Sequence, residues 1–139
     1  METMFARRSF LTSAVAAAAA SLVAGPAWGG SYLNRASLLL EGSKADRTMA
    51  MPRFHDPELL RMVHGVAAAR TEAGQAMHVP DEVVGMHPHL VLVLENCERG
   101  FLAGVERDRK RFVEHLLRAR AEDLVFRTLV RKAGYTLPS

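Results

Sequence analysis

His87-Pro88-His89-Leu90-Val91-Leu92-Val93-Leu94-Glu95-Asn96-Cys97-Glu98-Arg99-Gly100-Phe101-Leu102-Ala103-Gly104-Val105 is the most apolar stretch of the chain after its first 29 residues. Leu90, Leu94, Cys97, Phe101 and Val105 recur at steps of three and four, the spacing of one face of a helix. Pro88 sits where a helix has no backbone donor to lose, in its first turn. The stretch is therefore expected to be a helix, and it is apolar enough to form the core element around which its neighbours pack.

Upstream, Asp56-Pro57-Glu58 is a helix start. The aspartate accepts from open backbone N–H groups, the proline fits the first helical position, and the glutamate suits the positive end of the dipole. Its apolar stripe reads Leu59, Val63, Val66, Ala73, Met77, and Val79-Pro80-Asp81-Glu82 opens a short connector. Before it, Leu33, Ala36 and Leu40 predict a first helix from Tyr32 to about Met49, with Ser31 as its cap and Met51-Pro52 as its end. Downstream, Asp108 is placed to cap a last helix running to Ala133. Gly134 would supply a left-handed terminator, Pro138 follows, and Phe112, Val113, Leu116, Leu117, Leu124 and Leu129 are its burial candidates. The chain has no isoleucine and no segment that alternates apolar with polar over more than a few residues, so a sheet is not expected. Four amphipathic helices with short links predict an all-α, small up-down four-helix bundle. The alternative is one long bent helix from Pro88 to Ala133 paired with another chain. Gly100 and Gly104, four apart, would allow close helix approach at that point.

The apolar content of the 139 residues, 49%, is unevenly spread: 18 of the first 29 residues are hydrophobic against 50 of the remaining 110. The excess lies in a leader. Arg7-Arg8-Ser9-Phe10-Leu11 precedes an alanine-rich run, no charge occurs from Ser9 to Asn34, and Gly25-Pro26 ends the run. Arg7, Arg8, Phe10 and Leu11 resemble a bacterial twin-arginine export signal, with Ala6 and Thr12 departing from its commonest flanking residues. That resemblance implies recognition by the twin-arginine translocase, export of an already folded protein, and a periplasmic or secreted location. Ala27-Trp28-Gly29 places cleavage before Gly30, or alternatively before Trp28, which divides the chain into a signal at 1–29 and a helical domain at 30–139. The run from Phe10 to Ala24 is 15 residues, short of the ~20 that span a bilayer, so no stable anchor is expected after cleavage.

One cysteine excludes a disulfide framework, a four-thiolate zinc site and an iron–sulfur cluster held by one chain. Catalytic spacings fail in the same way. Glu58, Glu72, Glu95 and Glu98 are not followed by a histidine three residues on, and no His-Glu-x-x-His or Cys-x-x-Cys-His occurs. Ser43 lacks the glycine setting of a nucleophile elbow, and Glu95 and Glu98 read as solvated or paired with Arg99 and Arg61. Cys97, on the core stripe, reads as a small buried hydrophobe. An enzyme is the minority reading.

Two patterns remain. Met77, His78, Met86, His87 and His89 would meet at one end of an antiparallel helix pair, and thioether with imidazole suits copper. Methionine also fills gaps in helical cores, and histidine bonds open groups at helix ends. The second pattern is charge: residues 30–98 carry six basic and nine acidic side chains, whereas residues 99–139 carry ten and five. Arg107, Arg109, Lys110, Arg111 and Arg118, continued by Arg120, Arg127, Arg131 and Lys132, form a surface for an anionic partner unless acids of the first two helices balance it. The export signal argues against a nucleic-acid partner for this surface. These features predict an exported, non-catalytic helical protein that binds another protein or a second copy of itself. Small helical subunits with twin-arginine leaders accompany some periplasmic dehydrogenases, and the chain is similar to these in leader and size. The alternative is a periplasmic copper protein using the Met/His cluster, with no other cofactor required.

Overall fold

The computed structural model describes residues 28–138, and their side chains from residue 31. The expected export signal, with Arg7, Arg8, Phe10 and Leu11, lies outside the described residues. Within them are four helices and no strand: α1 (Trp28–Ala50), α2 (Pro57–Gln75), α3 (His87–Val105) and α4 (Arg109–Lys132). Single 3-10 turns at Met51–Arg53 and Asp81–Val83 lie in the first two links.

The helix limits follow local chemistry. Asp56 accepts from the Leu59 N–H at 3.1 Å and Asp108 from the Arg111 N–H at 3.1 Å, each satisfying a donor with no partner inside its helix. Gly134, at φ +86°, ends α4, with its N–H on the Arg131 carbonyl and that of Tyr135 on Val130. The same double closure ends α3, although the left-handed residue there is Arg107 at φ 64°. Its guanidinium donates to the Phe54 carbonyl at 2.6 Å and lies 4.4 Å from the Phe54 ring centre, which holds this turn against the α1–α2 link. A continuous helix from Pro88 to Ala133 is thereby ruled out. α1 begins at Trp28, ahead of the expected Tyr32, so Ser31 is a buried residue inside the helix rather than its cap.

Successive helices run antiparallel, giving the up-down order. Leu60 of α2 and Phe112 of α4 both approach α3 at Gly104, while Gly74 and Leu94 meet near the other end. α3 is the hub, packed on all three other helices; of its predicted stripe Leu90, Leu94, Cys97 and Phe101 are buried and Val105 is half-buried, and Val93 is buried beside them. At Gly100 an added Cβ would lie 2.9 Å from Leu116 Cδ2 and 3.2 Å from His115 Cβ, so side chains of α4 pack directly on the α3 backbone there. These glycines join helices within one chain.

Two faces are turned from expectation. α2 buries Leu60, Val63, Ala67, Thr71 and Gly74, so of the expected stripe only Val63 is fully inside, and Val66 is 42% exposed. Contact of Gly74 with Leu94 draws the small residues of α2 to the interface. α4 buries Phe112, His115, Leu116, Ala119, Asp123, Phe126 and Val130, leaving Leu117 and Leu124 in solvent. The two phenylalanines and the close approach at Gly100 set that rotation.

Candidate interaction surface and the polar network behind it

α1 supplies the most polar of the buried faces. Between Tyr32, Leu33, Ala36 and Leu40 at one end and Ala50 at the other it inserts Ser43 and Arg47, both buried. The Arg47 guanidinium donates to the Asp123 carboxylate at 3.4 Å and lies 3.8 Å from Cys97 Sγ. Asp123 also accepts from Arg127, whose other arm reaches Glu41 at 2.9 Å. Arg70 of α2 bonds Asp46 on the opposite flank of α1. α1 is therefore tied to α2 and α4 by charge and touches the α3 thiol. Burial pushes the Cys97 thiol above its ordinary pKa, with Arg47 opposing, so the sulfur is held as a neutral, packed group.

The Met/His end resolves into separate contacts. Met86 is buried in the core and Met77 packs against it, while His78 is exposed. The Tyr32 hydroxyl lies 2.8 Å from His87 Nδ1. Burial lowers the His87 pKa, opposed by its contact with the Gly74 backbone. His89, two residues on and so on another face of α3, gives Nδ1 to Glu122 of α4 at 2.6 Å. Among the described residues, no three His, Cys, Asp or Glu side chains gather in the manner of a cation site. Glu95 and Glu98 line a shallow depression between α2 and α3, where Glu95 bonds Gln75 at 3.2 Å and reaches Arg99 at 3.8 Å.

The basic residues of α4 divide into three groups. Arg107 and Arg109 lie over the Phe54 ring. Arg127 belongs to the internal network. Lys110, Arg111, Arg118, Arg120, Arg131 and Lys132 are exposed and pair with no carboxylate among the described residues. Acids of the first two helices thus balance α4 at Arg127 through Glu41, and not along the rest of it. Between these cations stand Leu117 and Leu124, 51% and 60% exposed and seven residues apart, which puts them in one row on the outer side of α4. Sequence periodicity had assigned that row to the core. What it missed was the buried polar set Ser43, Arg47, Asn96, His115 and Asp123, because these residue types ordinarily face water.

No family model matches the chain, and no curated protein or solved structure matches it. No helix among the described residues is long and apolar enough to cross a membrane.

Proposed function

We propose that the chain is a non-catalytic helical binding module of the bacterial cell envelope, exported folded by its twin-arginine leader, and that it serves as an accessory subunit to a partner protein. The observation that carries this reading is the outer side of α4, where Leu117 and Leu124 are exposed among cations that have no ionic partner within the described residues. Apolar anchors ringed by arginine are a composition that favours protein recognition. The partner that fits is a protein surface with an apolar centre and an acidic rim.

The test is to tag the C-terminus, recover the protein from the periplasmic fraction, and determine its stoichiometry by size exclusion and mass spectrometry. A stoichiometric companion, lost on Leu117→Ser with Leu124→Ser while the helical signal is unchanged, is the expected result. Recovery as a lone monomer would sink the proposal, and self-association lost in the same variant would replace the partner by a second copy. A copper role for Met77, His78, Met86, His87 and His89 would have to leave the Tyr32 and Glu122 bonds in place or break them. Stoichiometric Cu(I) binding under reducing conditions, abolished by changing Met77 and Met86, would favour that role instead.

A further inference from the structure

The side of α2 turned from the core carries an apolar row of its own. Met62, Val66, Ala69, Ala73 and Ala76 follow at steps of four and three, hence on one helical face. Met62 is 64% and Val66 42% exposed, Ala69 and Ala76 are exposed, and Ala73 is half-buried. The large members lie in the N-terminal half of the helix and the small ones in the C-terminal half. Gly65 stands beside the row, exposed, and a Cβ added there would meet no neighbouring element within 4 Å. The chain's own packing thus leaves room for alanine at a mid-helix position where glycine lowers helix propensity. Arg61 and Glu72, three helical turns apart, stand on one flank of the row. Both are exposed, and neither pairs with an opposite charge among the described residues.

We propose that this face is a homodimer surface, on which α2 packs antiparallel against α2 of a second copy about a two-fold axis. The inference uses a different face from the preceding reading and stands apart from it. An axis between Val66 and Ala67 lies midway between Arg61 and Glu72, so the arginine of each copy comes level with the glutamate of the other. A two-fold of this kind keeps both on the same flank, and two ion pairs form. Met62 of each copy comes level with the gap between Ala69 and Ala73 of the other, large side chain into small-residue hole, while Gly65 and Ala69 let the backbones approach. Within one helix Arg61 and Glu72 are about 16 Å apart and cannot serve each other. The row on α4 lacks this self-complementarity: a two-fold between Leu117 and Leu124 would set Lys110 against Arg131 of the copy. An acidic partner therefore suits α4, and a second copy suits α2. One helix pair falls below the ~1,200 Å² of a standard interface, so the dimer is weak and concentration-dependent.

Sedimentation equilibrium of the purified chain, at concentrations up to ~1 mM, tests the surface. A monomer–dimer equilibrium is expected. Arg61→Glu or Glu72→Arg alone sets like charges opposite each other at two places and should weaken the dimer about ten- to thirtyfold. Combining them exchanges the ends of each pair and should restore it. An equimolar mixture of the two single variants should form a heterodimer tighter than either variant forms with itself, because each like-charge contact then becomes an opposite one. Neither recovery follows from an effect on the monomer, in which the two residues are out of reach of each other. Met62→Ser should also weaken the dimer. Gly65→Leu should weaken it while raising the unfolding midpoint at concentrations where the chain is monomeric, a split that a defect of folding would not produce. A chain that stays monomeric throughout, a double variant no tighter than the singles, or a mixture without heterodimer would each overturn the surface. Leu117→Ser with Leu124→Ser should leave the equilibrium unchanged, so failure of the partner experiment and failure of this one are separable; loss of the dimer in that variant would move the contact to α4 and overturn the assignment to α2.

Discussion

Arg47 brings a positive charge from α1 into an interior where the Asp123 carboxylate and the Cys97 sulfur receive it. Two buried charges gain little over an apolar pair of the same size, but one left alone is expensive. Asp123→Ala should therefore cost about 3–5 kcal/mol in urea unfolding. Arg47→Met combined with Asp123→Leu should recover most of that loss, and a double variant as unstable as the sum of the singles would contradict this account of the pair. The two residues lie 76 apart in sequence, and each read alone is an ordinary surface side chain. Cys97, by contrast, was legible, because membership of an apolar stripe is a local property of α3. The His87 and His89 bonds to Tyr32 and Glu122 were hidden for the same reason as the Arg47 pair, since the helix-end pattern records which residues are near one another and not which way each ring turns.

At the level of the helix, starts and stops were readable except at the beginning of α1, where Ser31 lies inside the helix, and rotations were not. Asp56, Asp108 and Gly134 act on backbone groups a few residues away, so their effect is present in the sequence itself. The face a helix buries depends on its neighbours, and on α2 and α4 the close approaches at Gly74 and Gly100 turned it by about one residue from the apolar maximum. Gly100→Ala tests the tighter α3–α4 approach. A methyl there would meet Leu116 and the less movable His115 Cβ; overpacking of this kind costs ~1–3 kcal/mol, against which alanine regains ~0.5–1 kcal/mol of helix propensity. A net loss of about 1 kcal/mol is expected by chemical denaturation, and a gain would mean that α4 moves aside freely. Leu117 and Leu124 mark the practical limit of pattern reading, since an apolar stripe shows that a surface is to be covered without showing whether this chain covers it.

For the molecule as a whole, pH dependence follows from two imidazoles on α3 and α4. His87 and His115 both have pKa values lowered from 6.5, each chiefly by burial. The unfolded chain then binds protons more readily than the folded one, so stability is complete above the ordinary value and is lost as pH falls through the depressed ones. Calorimetry should show a flat melting temperature above about pH 7 and a decline below about pH 6. Combining His87→Asn with His115→Gln should flatten the decline, and an undiminished slope in that variant would shift the cause to carboxylates. The bundle itself was legible from helix count and link length, whereas the unequal attachment of its members was not. α2, α3 and α4 are joined mainly by apolar contacts between chain neighbours, while α1 adds to its own buried Leu33, Ala36 and Leu40 the polar links of Tyr32, Arg47 and Glu41. Polar docking of this kind demands that water leave charged groups before their bonds can form, a step that comes late on a folding route. In a chevron analysis, Asp123→Asn is accordingly expected to speed unfolding and leave the refolding limb nearly unchanged, whereas Gly100→Ala should slow refolding. The first of the described helices to emerge from the ribosome would then be the last of them to take its place.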